Sequence, residues 1–247
     1  ETFSIDTARN VHAVHLYFTS TGVASTRAEI IAEIADVRVR VGGKLIMDLT
    51  ATEILDLYKY FNDDAGSFTV AGVLPLIFTP MMLPLSAESR QYALGMRSDE
   101  DPSRRNTFTI EVNAQAAAPG TVDGCEVQLE TDDFPSESIG YHIRWVKYGT
   151  TWAAASKQVI DKLPIERNML AALGYHAHHT AGTLSRLALR VNDFERISDM
   201  PRSLLLQQLN RAERTPQANY EHIDFTLANA PQAFLDVSDL VNQYLEL

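Results

Sequence analysis

The sequence predicts an all-β protein built from two similar jelly-roll domains in tandem, each of the eight-stranded type and each carrying one short helix. Three observations predict it. Short stretches alternate apolar and polar residues between glycine, proline and asparagine turns, an ordered series of such stretches occurs twice, and the strands are not each followed by a helix as a parallel α/β fold requires. With 247 residues, 45% of them apolar, the chain can bury a substantial core.

The first copy opens with His12 to Gly22 (HAVHLYFTSTG), a strand that turns at glycine. Val37 to Val41 (VRVRV) alternates strictly, so a period of two buries the valines on one face and solvates Arg38 and Arg40 on the other. Gly42-Gly43 then makes a hairpin turn into a return strand, Lys44 to Met47. Thr50 and Glu53 have capping-box spacing ahead of Ile54, Leu55, Leu57, Tyr58 and Phe61, which predicts a short amphipathic helix. Val73 to Leu85, with three prolines, reads as buried strand and loop, and Thr107 to Val112 (TFTIEV) as the closing strand after the charged loop Arg97 to Arg105.

The second copy repeats this order. Ala172 to Gly182 (ALGYHAHHTAG) corresponds to the His12 strand, Leu187 to Val191 (LALRV) to VRVRV, Asn192-Asp193 to the glycine turn, and Phe194 to Ile197 to the return strand. Asp199 is the expected cap of a helix carrying Leu204, Leu205, Leu206 and Leu209, and His222 to Leu227 (HIDFTL) matches Pro75 to Pro80 (PLIFTP). The boundary is expected in Ala114 to Gly124, giving domains 1–118 and 119–247. Gln243-Tyr244 pairs with Gln91-Tyr92, so the second copy lacks a closing strand; either Cys125 to Leu129 fills the place or the gene product continues past Leu247.

A net charge of −11 disfavours binding to phosphate backbones, and Cys125, the single cysteine, excludes an intrachain disulfide and suits a reducing compartment. No apolar run reaches the roughly 18 residues of a membrane-spanning helix. No GxSxG elbow, P-loop or GxGxxG occurs. His176 and His178 project to one face of a strand and are the candidate transition-metal ligands; against this, they stand where the first copy has the core positions Leu16 and Phe18. His12 and His15, three apart, point to opposite faces. Asp99, Asp101, Asp132 and Asp133 are candidate calcium ligands, although solvated loop charge is the plainer reading. Trp145 and Trp152, in a segment peculiar to the second copy, offer a saccharide platform or an intersubunit contact.

The motifs VRVRVGGKLIMDLT (37–50), IEVNAQAAAPG (110–120), DKLPIERNMLAALGYHAHHTAG (161–182) and LALRVNDFERI (187–197) make the sequence similar to the double jelly-roll major capsid proteins of tailless, membrane-containing icosahedral phages, of the corticovirus type. The resemblance spans most of the chain in order, and the missing closing strand departs from it. It implies a structural protein with neither active site nor cofactor, calcium excepted, since such proteins can bind it within or between subunits. Its partners are then two further copies in a homotrimer, neighbouring trimers, and vertex and membrane-associated virion proteins. The implied location is the virion, assembled in the host cytoplasm, with the genome enclosed by a membrane and no direct nucleic-acid contact. Two other readings stay open. One is a bicupin-like metal-dependent enzyme using His176 and His178, though a glutamate and a third histidine are not at bicupin spacing; the other is a carbohydrate-binding virion spike using Trp145 or Trp152.

Overall fold

The alternation of Val37–Val41 becomes a strand whose three valines are fully buried while Arg38 and Arg40 keep about 40% of their side chains exposed. Around it the computed structural model describes residues 1–62, 71–79, 92–98, 101, 103–135, 142–149, 159–160, 171–179, 184–191, 194–227, 235–236 and 243–246. They form two compact units, Glu1–Lys147 and Tyr148–Leu247.

In the first unit the strands are β1 (Thr2–Ile5), β2 (Arg9–Ser20), β3 (Val23–Ala24), β4 (Ile34–Val41), β5 (Lys44–Leu49), β6 (Val73–Ile77), β7 (Phe108–Ala114) and β8 (Gly124–Pro135), with helices α1 (Arg27–Glu33) and α2 (Ala51–Phe61). One sheet runs β1-β7-β4-β5; in the other, β2 pairs with β6 and β8, and with β3 at its end. All of these pairings are antiparallel. The sheets bury a common core in which Leu16, Val37, Val39, Phe78, Phe108 and Ile110 are at 0% exposure.

The local signals act as expected at two places. Gly42 and Gly43 both have positive φ (56° and 76°), which the tight β4–β5 turn requires and which glycine adopts without a Cβ clash. At α2, Thr50 Oγ1 accepts the Glu53 amide at 3.2 Å while Glu53 Oε2 accepts the Thr50 amide at 2.8 Å.

The first unit also holds a helix that the expectation of one helix per copy left out. Thr26 and Glu29 form the same reciprocal cap at the start of α1, and the sequence shows the spacing there too.

The second unit contains β9 (Val159–Ile160), β10 (Ala171–Ala172), β11 (Gly174–His178), β12 (Arg186–Val191), β13 (Phe194–Pro201), β14 (Tyr220–Asp224), β15 (Leu235–Asp236), β16 (Gln243–Glu246) and the helix α3 (Arg202–Arg211). Its four-stranded sheet runs β13-β12-β16-β9, the order of β5-β4-β7-β1 in the first unit. Leu187 and Leu189 are buried where Val37 and Val39 are, and β11 pairs with β14 as β2 pairs with β6.

Four expectations for the second copy need correction. Gln243–Glu246 is not the counterpart of Gln91-Tyr92. It pairs with β12 (Leu189↔Leu245, Arg190↔Tyr244) and takes the place that β7 holds beside β4, so the second unit has its closing strand. Cys125–Leu129 lies in β8 and pairs with β2 of the first unit (Phe18↔Cys125, Leu16↔Val127).

The division between units falls after Lys147, not at 118/119, because residues 115–123 form a loop from β7 into β8 that Glu33 holds. Asp199 lies in β13 with φ 24° and binds Arg186 Nε at 2.8 Å; α3 starts after Pro201 without a side-chain cap. The Asn192-Asp193 turn lies outside the described residues.

Candidate functional site

The candidate histidines stand on β11, a five-residue strand that pairs along its whole length with β14. Every residue of β14, Tyr220 to Asp224, is buried, although only Tyr220 and Ile223 have bulky apolar side chains. Side chains at alternate positions of a ladder share a face, and here that face carries a row of four rings. His176 meets His222 (centroids 5.0 Å apart), His222 stacks almost parallel on Tyr220 (5.5 Å, 8°), and His178 leans on Tyr220 (4.7 Å). His176 and His178 do share a face, as expected; the rings filling the space beside them belong to β14.

His176 Nδ1 and His222 Nδ1 are 2.7 Å apart, so one donates to the other. The Gln217 backbone amide donates to His222 Nε2 at 3.4 Å, which leaves the His222 proton on Nδ1 and makes His176 Nδ1 the acceptor. Burial pushes His176 down to about 4 against the pull of Asp224, and pushes His222 lower, with His176 adding to the effect. Both rings are neutral at pH 7.

Charged groups flank this row. Arg214 Nε binds Asp224 Oδ2 at 3.1 Å, their side chains 7% and 1% exposed, while Thr226 donates its amide to Asp224 Oδ1 at 2.7 Å. On the alternate face Arg202 Nε donates to the 2% exposed Glu221, and His179 Nε2 lies 3.5 Å from the same carboxylate oxygen.

Sequence reasoning passed over Glu221, His222, Asp224, Arg202 and Arg214. A strand reading YEHID has no apolar alternation to mark it as buried, and the only signal was the match of HIDFTL to PLIFTP. That match and the match of the His176 strand differ by one residue in register: Leu16 pairs with Leu74, but His176 pairs with His222 rather than Glu221.

The candidate carboxylates do not come together. Asp132, 8% exposed, faces Asn10 Nδ2 at 3.1 Å and His12 Nε2 at 3.6 Å, whereas Asp133 is 94% exposed and binds Arg9 at 2.9 Å. Asp101 accepts from the Ser103 amide and hydroxyl, which hold it below the usual carboxylate range, and pairs with Arg104 at 3.2 Å. Each of these carboxylates accepts from or pairs with a donor of the chain, and they lie apart from one another. Asp99 lies outside the described residues. Among the described residues no group of three or more His, Cys, Asp or Glu side chains is arranged to hold a metal ion.

His12 and His15 turn to different carboxylates, Asp132 and Glu130, in keeping with opposite faces. Trp145 packs against the first-unit core and donates its backbone N–H to the Ile46 carbonyl at 3.1 Å; Trp152 lies outside the described residues. Burial pushes the Cys125 thiol up to about 12, so at neutral pH it is protonated and unreactive.

Two antiparallel units with the same four-strand order define a double jelly-roll protein. Residues 1–128 match the family model "Viral coat protein P2 N-terminal domain", and the chain belongs to that family.

Among solved structures the chain is similar to the major capsid protein P2 of bacteriophage PM2, with TM-score 0.66 and 14% identity over 99% of this chain and 84% of that one. It is also similar to the STIV major capsid protein (TM-score 0.57, 11% identity, 100% and 86% covered) and to the PBCV-1 virus capsid (TM-score 0.52, 14% identity, 100% and 79% covered). No curated protein sequence matches the chain.

Proposed function

We propose that the protein is the major coat subunit of an icosahedral virion and that it assembles as a homotrimer, three chains supplying six jelly rolls to a nearly hexagonal capsomer. The observation that carries this reading is the repeat of one sheet order, β5-β4-β7-β1 and β13-β12-β16-β9, in a chain of the coat-protein family. Duplication suits such a shell physically. Two similar but non-identical domains let a three-fold assembly present six comparable edges while each edge keeps its own neighbour, which one domain in a symmetric trimer cannot do.

The role is structural and not catalytic; family membership supports this. The acidic balance suits a coat that does not neutralise nucleic acid. Vertex proteins and membrane-associated virion proteins are its further partners, and assembly takes place in the host cytoplasm.

The test is light scattering and negative-stain microscopy of the purified chain. A trimer of 27.5 kDa subunits with a hexagonal outline is expected. Protein that stays monomeric at every accessible concentration sinks the proposal.

A further inference from the structure

The row of rings between β11 and β14 contains a hydrogen-bonded chain with a fixed direction. The Gln217 amide can only donate, so it occupies His222 Nε2; His222 Nδ1 must then donate, and it occupies His176 Nδ1. Neither acceptor nitrogen is left open to a proton. A proton on His176 Nδ1 sets two N–H groups against each other at 2.7 Å, unless His222 moves its own proton to Nε2, where the Gln217 amide points. Either way one link of the chain breaks and a charge is placed on or beside His222, which is 1% exposed.

The charged side chains around the pair have partners of their own. Tyr220 covers one side of His222, and His178 lies beyond Tyr220. Asp224 pulls a proton toward His176, but Arg214 and Thr226 already occupy its oxygens. Glu221 belongs to the alternate face of β14, where its Oε1 accepts from Arg202 and lies 3.5 Å from His179 Nε2. In the first unit the arrangement is reversed, because His12 and His15 on β2 face the carboxylates of Asp132 and Glu130.

We propose that the His176–His222 pair is an acid-operated latch of the second unit, holding β11 to β14 while both rings are neutral and releasing them when either takes up a proton. The sign follows from linkage. Both rings hold protons less tightly folded than unfolded, so the stability they confer is fully present above the unfolded value of about 6.5 and is lost as pH falls from there toward about 4. Over that interval each histidine multiplies the open-to-closed ratio by up to about tenfold per pH unit. The histidines of β2 face carboxylates and not each other, so this ring-to-ring link belongs to the second unit, which opens first.

Amide hydrogen exchange of the full chain at pH 7.5 and 5.0, corrected for intrinsic rates, tests the latch. Segments 174–178 and 220–224 are expected to lose protection by about tenfold or more at pH 5.0 while 9–20 and 124–135 keep theirs. Equal loss in both units, or no loss in the ladder, overturns the proposal. His176→Leu, which cannot be protonated, is expected to blunt the acid-dependent loss; an unchanged loss also overturns it. If that variant fails to fold, ring titration of the unmodified protein decides: of its seven histidines, two are expected to stay neutral below pH 5, and titration of all seven near 6.5 ends the idea.

Discussion

The Glu33 carboxylate, at the end of α1, accepts the backbone amide of Gly120 at 3.0 Å. Its Oε2 also takes the Thr121 amide at 3.3 Å, and its main-chain carbonyl takes the Gln115 amide at 2.7 Å. One residue, 8% exposed, thus pins both ends of the loop that leads from β7 into β8. Glu33→Ala is expected to cost about 1–3 kcal/mol in chemical denaturation, the range for losing charge-assisted hydrogen bonds. Exchange at residues 120 and 121 should rise at the same time. Glu33→Gln should fall between the two, since an amide oxygen still accepts. A Glu33→Ala variant as stable as the parent means the loop is held by something else.

Val39 and Arg40 are neighbours in sequence and opposites in environment: Val39 is fully buried, while the Arg40 side chain is 39% exposed and 3.8 Å from Glu111. Val39→Ala removes two methyl groups from a packed layer and should cost about 2 kcal/mol or more, whereas Arg40→Ala loses a half-exposed ion pair and should change stability by about 0.5 kcal/mol. The comparison tests the facing of the whole of β4, because a one-residue slip would exchange the two results.

The features legible in the sequence are those that near neighbours determine. Val37–Val41, the positive-φ glycines 42 and 43, and the Thr50–Glu53 cap each carry their own physical reason within a few residues, and the repeat carried that reasoning to Leu187 and Leu189. The Thr26–Glu29 cap was equally legible. What could not be read is set by distant partners. The four residues of β16 have no pattern of their own and become a strand by pairing with β12. The loop after β7 looks like a linker until Glu33, far back in the chain, is seen to hold it. In the candidate site the two histidines were visible, but their partners were not, since YEHID reads as an exposed strand and is buried on both faces.

Trp145 is the anchor of an extended segment at the end of the first unit. Ile143 N–H donates to the Phe78 carbonyl and Trp145 N–H to the Ile46 carbonyl, both at 3.1 Å, while Trp145 forms one wall of a small apolar cleft together with Met47, Leu49, Ile54, Leu57 and Pro75. Further along, Lys147 Nζ meets Glu53 Oε2 at 2.8 Å. The half-buried ring should matter and the exposed ion pair should not. Trp145→Ala is expected to lose about 1.5–3 kcal/mol, and Lys147→Ala less than about 1 kcal/mol. Denaturant unfolding of both variants checks the order; a larger effect from Lys147 would mean that the segment is held by charge and not by packing.

Arg214 and Asp224 form the most deeply buried ion pair among the described residues, and such pairs respond unequally to losing one partner or both. Asp224→Asn keeps an acceptor for the Thr226 amide but removes the charge that pairs with the Arg214 guanidinium at 7% exposure, so a loss of about 3–5 kcal/mol is expected. Replacing both, as Arg214→Met with Asp224→Leu, removes both buried charges and should recover a large part of that loss, at the expense of the Thr226 contacts. Asp224→Asn also withdraws a charge that favours a proton on His176, so the His176 ring should stay neutral to still lower pH. A double variant no more stable than Asp224→Asn would show that the geometry of the network, rather than the balance of its charges, holds the loop carrying Arg214 against β14.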